Sequence, residues 1–107
     1  MSEEDMAPLH MFLTPASPRD IVERMLRNLK NIYVQQDQAT LLLGVLNRLV
    51  MLRPDDAESY RDRGLVFAQM GKREAALKDL QAYVRTAQAA QDLPVIEAHI
   101  ELLRAES

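Results

Sequence analysis

The stretch Tyr60 to Tyr83, YRDRGLVFAQMGKREAALKDLQAY, constrains the fold more than any other part of the chain. Its apolar residues recur at spacings of three and four on either side of Gly71, the pattern of two amphipathic helices joined by a tight turn. Gly64 and Ala76 are small where two such helices would approach, and Phe67 and Leu80 are large where they would interlock. A shift of 34 residues pairs Leu26 with Tyr60, Tyr33 with Phe67, Leu42 with Ala76, Leu46 with Leu80, Leu49 with Tyr83, and the turn residue Asp37 with Gly71. Self-similarity at such a period implies hairpins that stack, because one hairpin cannot bury its apolar faces alone. The expected fold is therefore all-α: a right-handed superhelix of two helical hairpins, at about residues 23–56 and 57–90, closed by a capping helix at about 93–104.

Local signals place the helices. Ser17-Pro18-Arg19-Asp20 combines a hydroxyl cap, a proline whose missing N–H costs nothing in the first turn, and an early acid. The first helix then carries Ile21, Met25, Leu26, Leu29, Ile32 and Tyr33 on one apolar face and ends near Gln36. Ala39 to Leu52 is apolar over a wider arc (Leu41, Leu42, Leu43, Val45, Leu46, Leu49, Val50), which predicts cover on two sides. Gly44 inside it costs about 1 kcal/mol relative to alanine, so a neighbouring helix is expected close by. Arg53-Pro54 stops this helix, and Asp55 and Asp56 offer an N-cap for the third, Asp55 with Glu58 matching a short capping pattern; that helix runs to about Met70. Lys72 to Ala87 is the fourth helix. The last turns Ile96, His99, Ile100 and Leu103 inward and a polar side outward. Residues 1–16, with Pro8, Pro15 and an apolar knot at Leu9, Met11, Phe12 and Leu13, read as a partly ordered leader or linker.

Composition excludes several function classes. A formal net charge of −3 and no basic run argue against nucleic acid and anionic membranes as partners. The absence of cysteine removes disulfides, thiolate metal sites and a cysteine nucleophile, and it fits a cytoplasmic location. His10 and His99 stand in no metal-binding spacing, and the three glycines form no phosphate loop. No metal, cofactor or catalytic residue is expected.

Gly64, Phe67, Gly71, Ala76 and Leu80, with Tyr33 and Pro54 in the first unit, resemble the tetratricopeptide repeat; Lys30 and Leu42 depart from its small residues. A narrower resemblance is carried by RMLRNLKNIY at Arg24 to Tyr33, LRPDD at Leu52 to Asp56, YRDRGL at Tyr60 to Leu65 and MGKREAALKDLQAYV at Met70 to Val84. These are similar to the C-terminal helical region of bacterial SirB-type proteins, in which a transglutaminase-like domain precedes the repeats. That resemblance implies a helical module associated with such a domain and lends this chain no catalytic residue.

It also implies where a partner would sit. In tetratricopeptide proteins the first helix of each pair lines a groove, which here puts Arg24, Arg27, Asn31 and Val34 beside Glu58, Arg61, Leu65 and Ala68. Arg27 and Asn31 stand at positions that clamp a peptide carboxylate in some repeats, but Asp62 and Asp92 replace the amide and cation such a clamp needs. Arg24, Arg27, Lys30 and Arg61 suggest a groove for an acidic segment. Arg63 stands at a leucine position, so its charge must be paired, and Arg61, Asp62, Arg63 and Asp79 are expected to form a structural ion-pair network, with Asp37 a further candidate partner.

The function expected is non-catalytic: an adaptor or regulatory module, monomeric or weakly dimeric, that binds a protein or peptide in its groove or docks against a transglutaminase-like domain. The alternatives are a fragment or subunit of an enzyme whose catalytic residues lie elsewhere, and a structural domain that self-associates through the leucine-rich second helix.

Overall fold

A computed structural model of the chain describes residues 17–87 and 90–106. Five helices follow in order: α1 (Pro18–Gln35), α2 (Ala39–Leu52), α3 (Ala57–Gln69), α4 (Arg73–Thr86) and α5 (Leu93–Ala105). Each packs on the next, giving two antiparallel hairpins and a closing helix, an all-α stack with no strand among the described residues. The expectation about residues 1–16 lies outside the described residues.

The 34-residue offset is visible in the backbone. Asp37 (φ 56°) and Gly71 (φ 77°) are the two left-handed residues among those described, and each turns one hairpin. The same pair of bonds closes both turns: Gln38 N–H to Tyr33 C=O at 3.0 Å with Asp37 N–H to Val34 at 3.2 Å, then Lys72 to Phe67 at 2.9 Å with Gly71 to Ala68 at 3.1 Å. These 6→1 closures satisfy carbonyls that a helix end leaves unpaired, and they need the conformation that glycine and aspartate tolerate best. At the other end of α1 the Ser17 hydroxyl accepts from the Asp20 N–H at 3.1 Å.

Two apolar cores lie along the stack. One joins Leu26, Val45, Leu46, Leu49 and Val66, and the other Ala76, Leu80, Tyr83, Ile96, Ile100 and Leu103. Because α3 sends Val66 into the first and Leu65, Phe67 and Ala68 against the second, it is the helix both cores share. Leu46, Leu49 and Leu80 are completely enclosed, each worth about 1.5–3 kcal/mol in transfer from water.

The structure corrects three expectations. Of the apolar face of α1, only Leu26 is buried and Tyr33 half-buried; Ile21, Met25, Leu29 and Ile32 are exposed, since nothing among the described residues packs outside α1. Gly44 has no close helix: a Cβ there would meet only Arg48 Nη1, at 3.4 Å. The close approach is at Gly64, whose Cβ would stand 2.8 Å from Leu80 Cγ and Cδ2 and 3.1 Å from Asp79 Cβ. Of the two candidate caps for α3 the structure uses Asp56, and the outer side of α5 is mixed rather than polar, with Val95 and Leu102 exposed beside Glu97 and Glu101.

Candidate functional site

The first helices of the two hairpins, α1 and α3, both pack on α2 and are bridged by the Lys30–Asp62 ion pair. Between them lies a cavity of about 260 Å³. Tyr33, Leu42, Leu46, Leu65 and Val66 form its apolar lining, and Lys30, Asp37, Gln38, Asp62 and Gln69 its polar rim. Val34, more than half exposed, stands at its edge. The volume is below the roughly 300–1,000 Å³ that drug-sized ligands occupy, so the space suits one large side chain better than a cofactor.

Ion pairs run along the same face. Arg27 binds Glu23 and Asp56, at 2.9 and 2.8 Å. Lys30 reaches from α1 to Asp62 on α3 at 3.0 Å and lies 3.6 Å from Glu58. Arg61 holds Asp62 at 2.9 Å and Asp92, at the start of α5, at 3.1 Å. The Tyr83 hydroxyl donates to the other Asp92 oxygen, fastening α4 to the α5 N-terminus. Arg53 ties Asp20 and Glu23 to the end of α2, whose Leu52 carbonyl accepts from Arg19.

These contacts set the protonation behaviour. Hydrogen bonds from Arg53 and then Arg27 hold the Glu23 carboxyl below its ordinary value, and the Tyr83 hydroxyl followed by Arg61 does the same for Asp92. Burial pushes Asp56 up, but Arg27 and Ser59 outweigh it and the net shift is downward. Burial likewise opposes the Arg61 charge, yet Asp62 and Asp92 keep that guanidinium protonated more firmly than a free one.

Arg63 belongs to a separate cluster. Its guanidinium makes a bidentate pair with Asp79, at 2.6 and 2.8 Å, and donates to Asn47 Oδ1 at 3.2 Å. The rings of Tyr60 and Phe67 lie 5.8 and 5.7 Å from its central carbon. Asp79 is buried, so this pair connects α2, α3 and α4 from inside the stack.

The residues singled out in the sequence thus divide three ways. Arg61 and Asp62 join in one ion-pair cluster and Arg63 and Asp79 in another, while Asp37 has no ion partner among the described residues. Of the groove positions, Arg24 and Asn31 are exposed, Leu65 lines the cavity, and Arg27, Glu58 and Arg61 are engaged with one another's neighbours. The cations that suggested an acidic ligand are, Arg24 apart, already paired within the chain. Asn47, the Tyr83–Asp92 bond and the cavity rim at Gln38 and Gln69 escaped the sequence reading, because their roles depend on where α2, α4 and the first turn lie in space. No group of three potential metal-ligating side chains gathers among the described residues, and no helix there is long and apolar enough to cross a membrane.

Comparison with known proteins accords with this architecture. The sequence is 33% identical over 96 residues to a UPF0162 protein of Xylella fastidiosa (strain Temecula1), covering 90% of this chain and 34% of that protein. It is 33% identical over 72 residues to Protein SirB1 of Salmonella typhimurium and 32% identical over 72 residues to UPF0162 protein YchA of Escherichia coli (strain K12), in each case 67% of this chain and 27% of the other. The chain thus spans about a third or less of the length of these relatives. No solved structure matches. The family pattern described as tetratricopeptide repeat matches residues 29–101, from the middle of α1 into α5, and the chain belongs to the tetratricopeptide-repeat family.

Proposed function

We propose that the chain is a non-catalytic adaptor that holds a segment of another protein in the groove between α1 and α3. The tetratricopeptide fold is a protein-interaction fold, and the observation that carries the finer reading is the apolar-floored cavity in that groove, at Val34 and Leu65. Arg24 and Asn31 supply exposed polar contacts along the segment, and the Arg27, Glu58 and Arg61 pairs form a rigid rim. Such a division, with one buried anchor and a polar border, is how short segments are usually held. A cytoplasmic setting accords with the absence of cysteine. The test is affinity capture with the wild-type chain and with Val34→Trp, which plugs the cavity mouth from an exposed position. Loss of specific partners with an unchanged fold is expected, and an unchanged partner set would count against the site.

A second reading rests on the outer face of α1. Ile21, Val22, Met25, Leu29 and Ile32 are exposed there, with Met51 of α2 four-fifths exposed beside Val22. In relatives about three times as long, other parts of the chain are available to cover such a face. Docking of a folded domain, such as the transglutaminase-like one implied by the SirB-type resemblance, would use this face and leave the groove free. Mixing this chain with the remaining two thirds of the Xylella relative, made as a separate protein, tests it by sedimentation. A Met25→Glu variant that binds as well as wild type would refute it, and a self-associating chain would replace it with the dimer.

A further inference from the structure

The charges around the cavity specify its ligand more narrowly. Of the charged side chains, Lys30, Asp37 and Asp62 line the cavity, one cation against two carboxylates, and Arg61, Glu58 and Asp92 are ion-paired next to them. Both cations are already held, Lys30 between Asp62 and Glu58 and Arg61 between Asp62 and Asp92, so neither is available to an incoming acid. Asp37 is the reverse case: exposed, on the rim, and without an ion partner among the described residues. Its backbone sits at φ 56° in the hairpin turn, so the turn fixes the direction in which its side chain leaves the backbone. Beside it Gln38 and Gln69 offer exposed amides, which can bond either polar group of a passing peptide backbone.

We infer that the cavity takes a large aliphatic or aromatic side chain from a protein segment that carries a lysine or arginine next to that anchor, the cation pairing with Asp37. The inference rests on the groove reading above and sets its specificity. The partner is a basic-apolar segment, the opposite sign to the one the arginines of α1 and α3 suggest when their internal partners are not known. A side chain in the cavity meets Tyr33, Leu42, Leu46 and Leu65, and a cation beside it enters a lining with one surplus negative charge, that of Asp37.

The test is selection of random twelve-residue peptides displayed on phage against the full chain, followed by fluorescence anisotropy of the selected peptides on wild type, Val34→Trp and Asp37→Asn. Asparagine keeps the left-handed tolerance that aspartate has at this turn and removes only the charge. Selected peptides should share an apolar residue flanked by lysine or arginine. Val34→Trp should abolish their binding, while Asp37→Asn should weaken it by about 2- to 5-fold, the range for one exposed ion pair, with the difference vanishing at 0.5–1 M salt as screening removes it. Peptides that depend on Val34 but carry aspartate or glutamate beside the anchor, or are indifferent to Asp37→Asn, would overturn the basic flank and leave the groove reading standing. Peptides indifferent to Val34→Trp, or no selected peptides at all, would overturn both.

Discussion

Replacing Arg63 by alanine would leave the Asp79 carboxylate, whose side chain is 4% exposed, without the two hydrogen bonds that hold both of its oxygens. Removing one partner of a buried ion pair costs about 3–5 kcal/mol, because the charge left behind is neither paired nor hydrated. The Arg63 side chain is itself 20% exposed, so truncation opens a path for water toward Asp79, and the lower end of that range applies. Loss of the ring contacts to Tyr60 and Phe67 keeps the figure near 3 kcal/mol. For a domain of this size that corresponds to a fall in Tm of about 12–24 °C. The assay is thermal unfolding followed by circular dichroism on four proteins: wild type, Arg63→Ala, Asp79→Ala and the double variant. The double variant buries no unpaired charge, so it should be more stable than Arg63→Ala alone, with a coupling of about 1–3 kcal/mol. A Tm change under about 4 °C for Arg63→Ala, or a double variant that shows the sum of the two single losses, would refute the reasoning.

Further outcomes follow from other contacts. Gly44→Ala should stabilise the protein by up to about 1 kcal/mol, since helix propensity improves and the Arg48 tip can move; Gly64→Ala should destabilise it by about 1–2 kcal/mol despite the same gain, because Leu80 is enclosed and cannot yield. Urea unfolding midpoints decide both, and equal effects at the two glycines would contradict the packing described. Glu23, Asp56 and Asp92 titrate lower in the folded chain than in the unfolded one. Their stabilisation is therefore present above the unfolded values near 4 and lost as pH falls through the folded ones, so Tm should be level from about pH 7 to 5 and decline below about 4. Glu23→Gln should flatten that decline in a pH series of melts. Tyr83→Phe removes the hydroxyl bond to Asp92 at a cost of about 1.5 kcal/mol. Hydrogen exchange should show faster opening of α5 than of α2, and uniform acceleration would argue against a local fastening.

Much of the fold could be read because its determinants are local. Asp37 and Gly71 sit 34 positions apart and satisfy the same backbone demand, and Ser17 caps α1 as its side-chain chemistry implies. The misreadings share one cause, which is that the deciding neighbour is remote. Gly44 and Gly64 look alike in sequence, and only the position of α4 distinguishes them. Periodicity shows that Ile21, Met25 and Ile32 share a face, but not whether anything covers it. At the groove, Lys30 and Arg61 were legible as residues and illegible as charges, since their availability depends on Asp62 and Asp92, each about thirty residues later and at 3.0 and 3.1 Å.

The ion pairs that cross from one first helix toward the next also have a direction. Arg27 and Lys30 on α1 reach forward to Asp56 and Asp62, and Arg61 on α3 reaches forward to Asp92. Cations thus lie on the leading flank of each unit and carboxylates on the flank that receives it. Such an arrangement gives the stack a polarity, as the teeth of a ratchet do. A hairpin added to it finds opposite charges in head-to-tail order, whereas two like flanks brought together repel. Lengthening the solenoid by inserting a further helix pair would therefore succeed in one orientation, with its forward cations and receiving carboxylates kept in step.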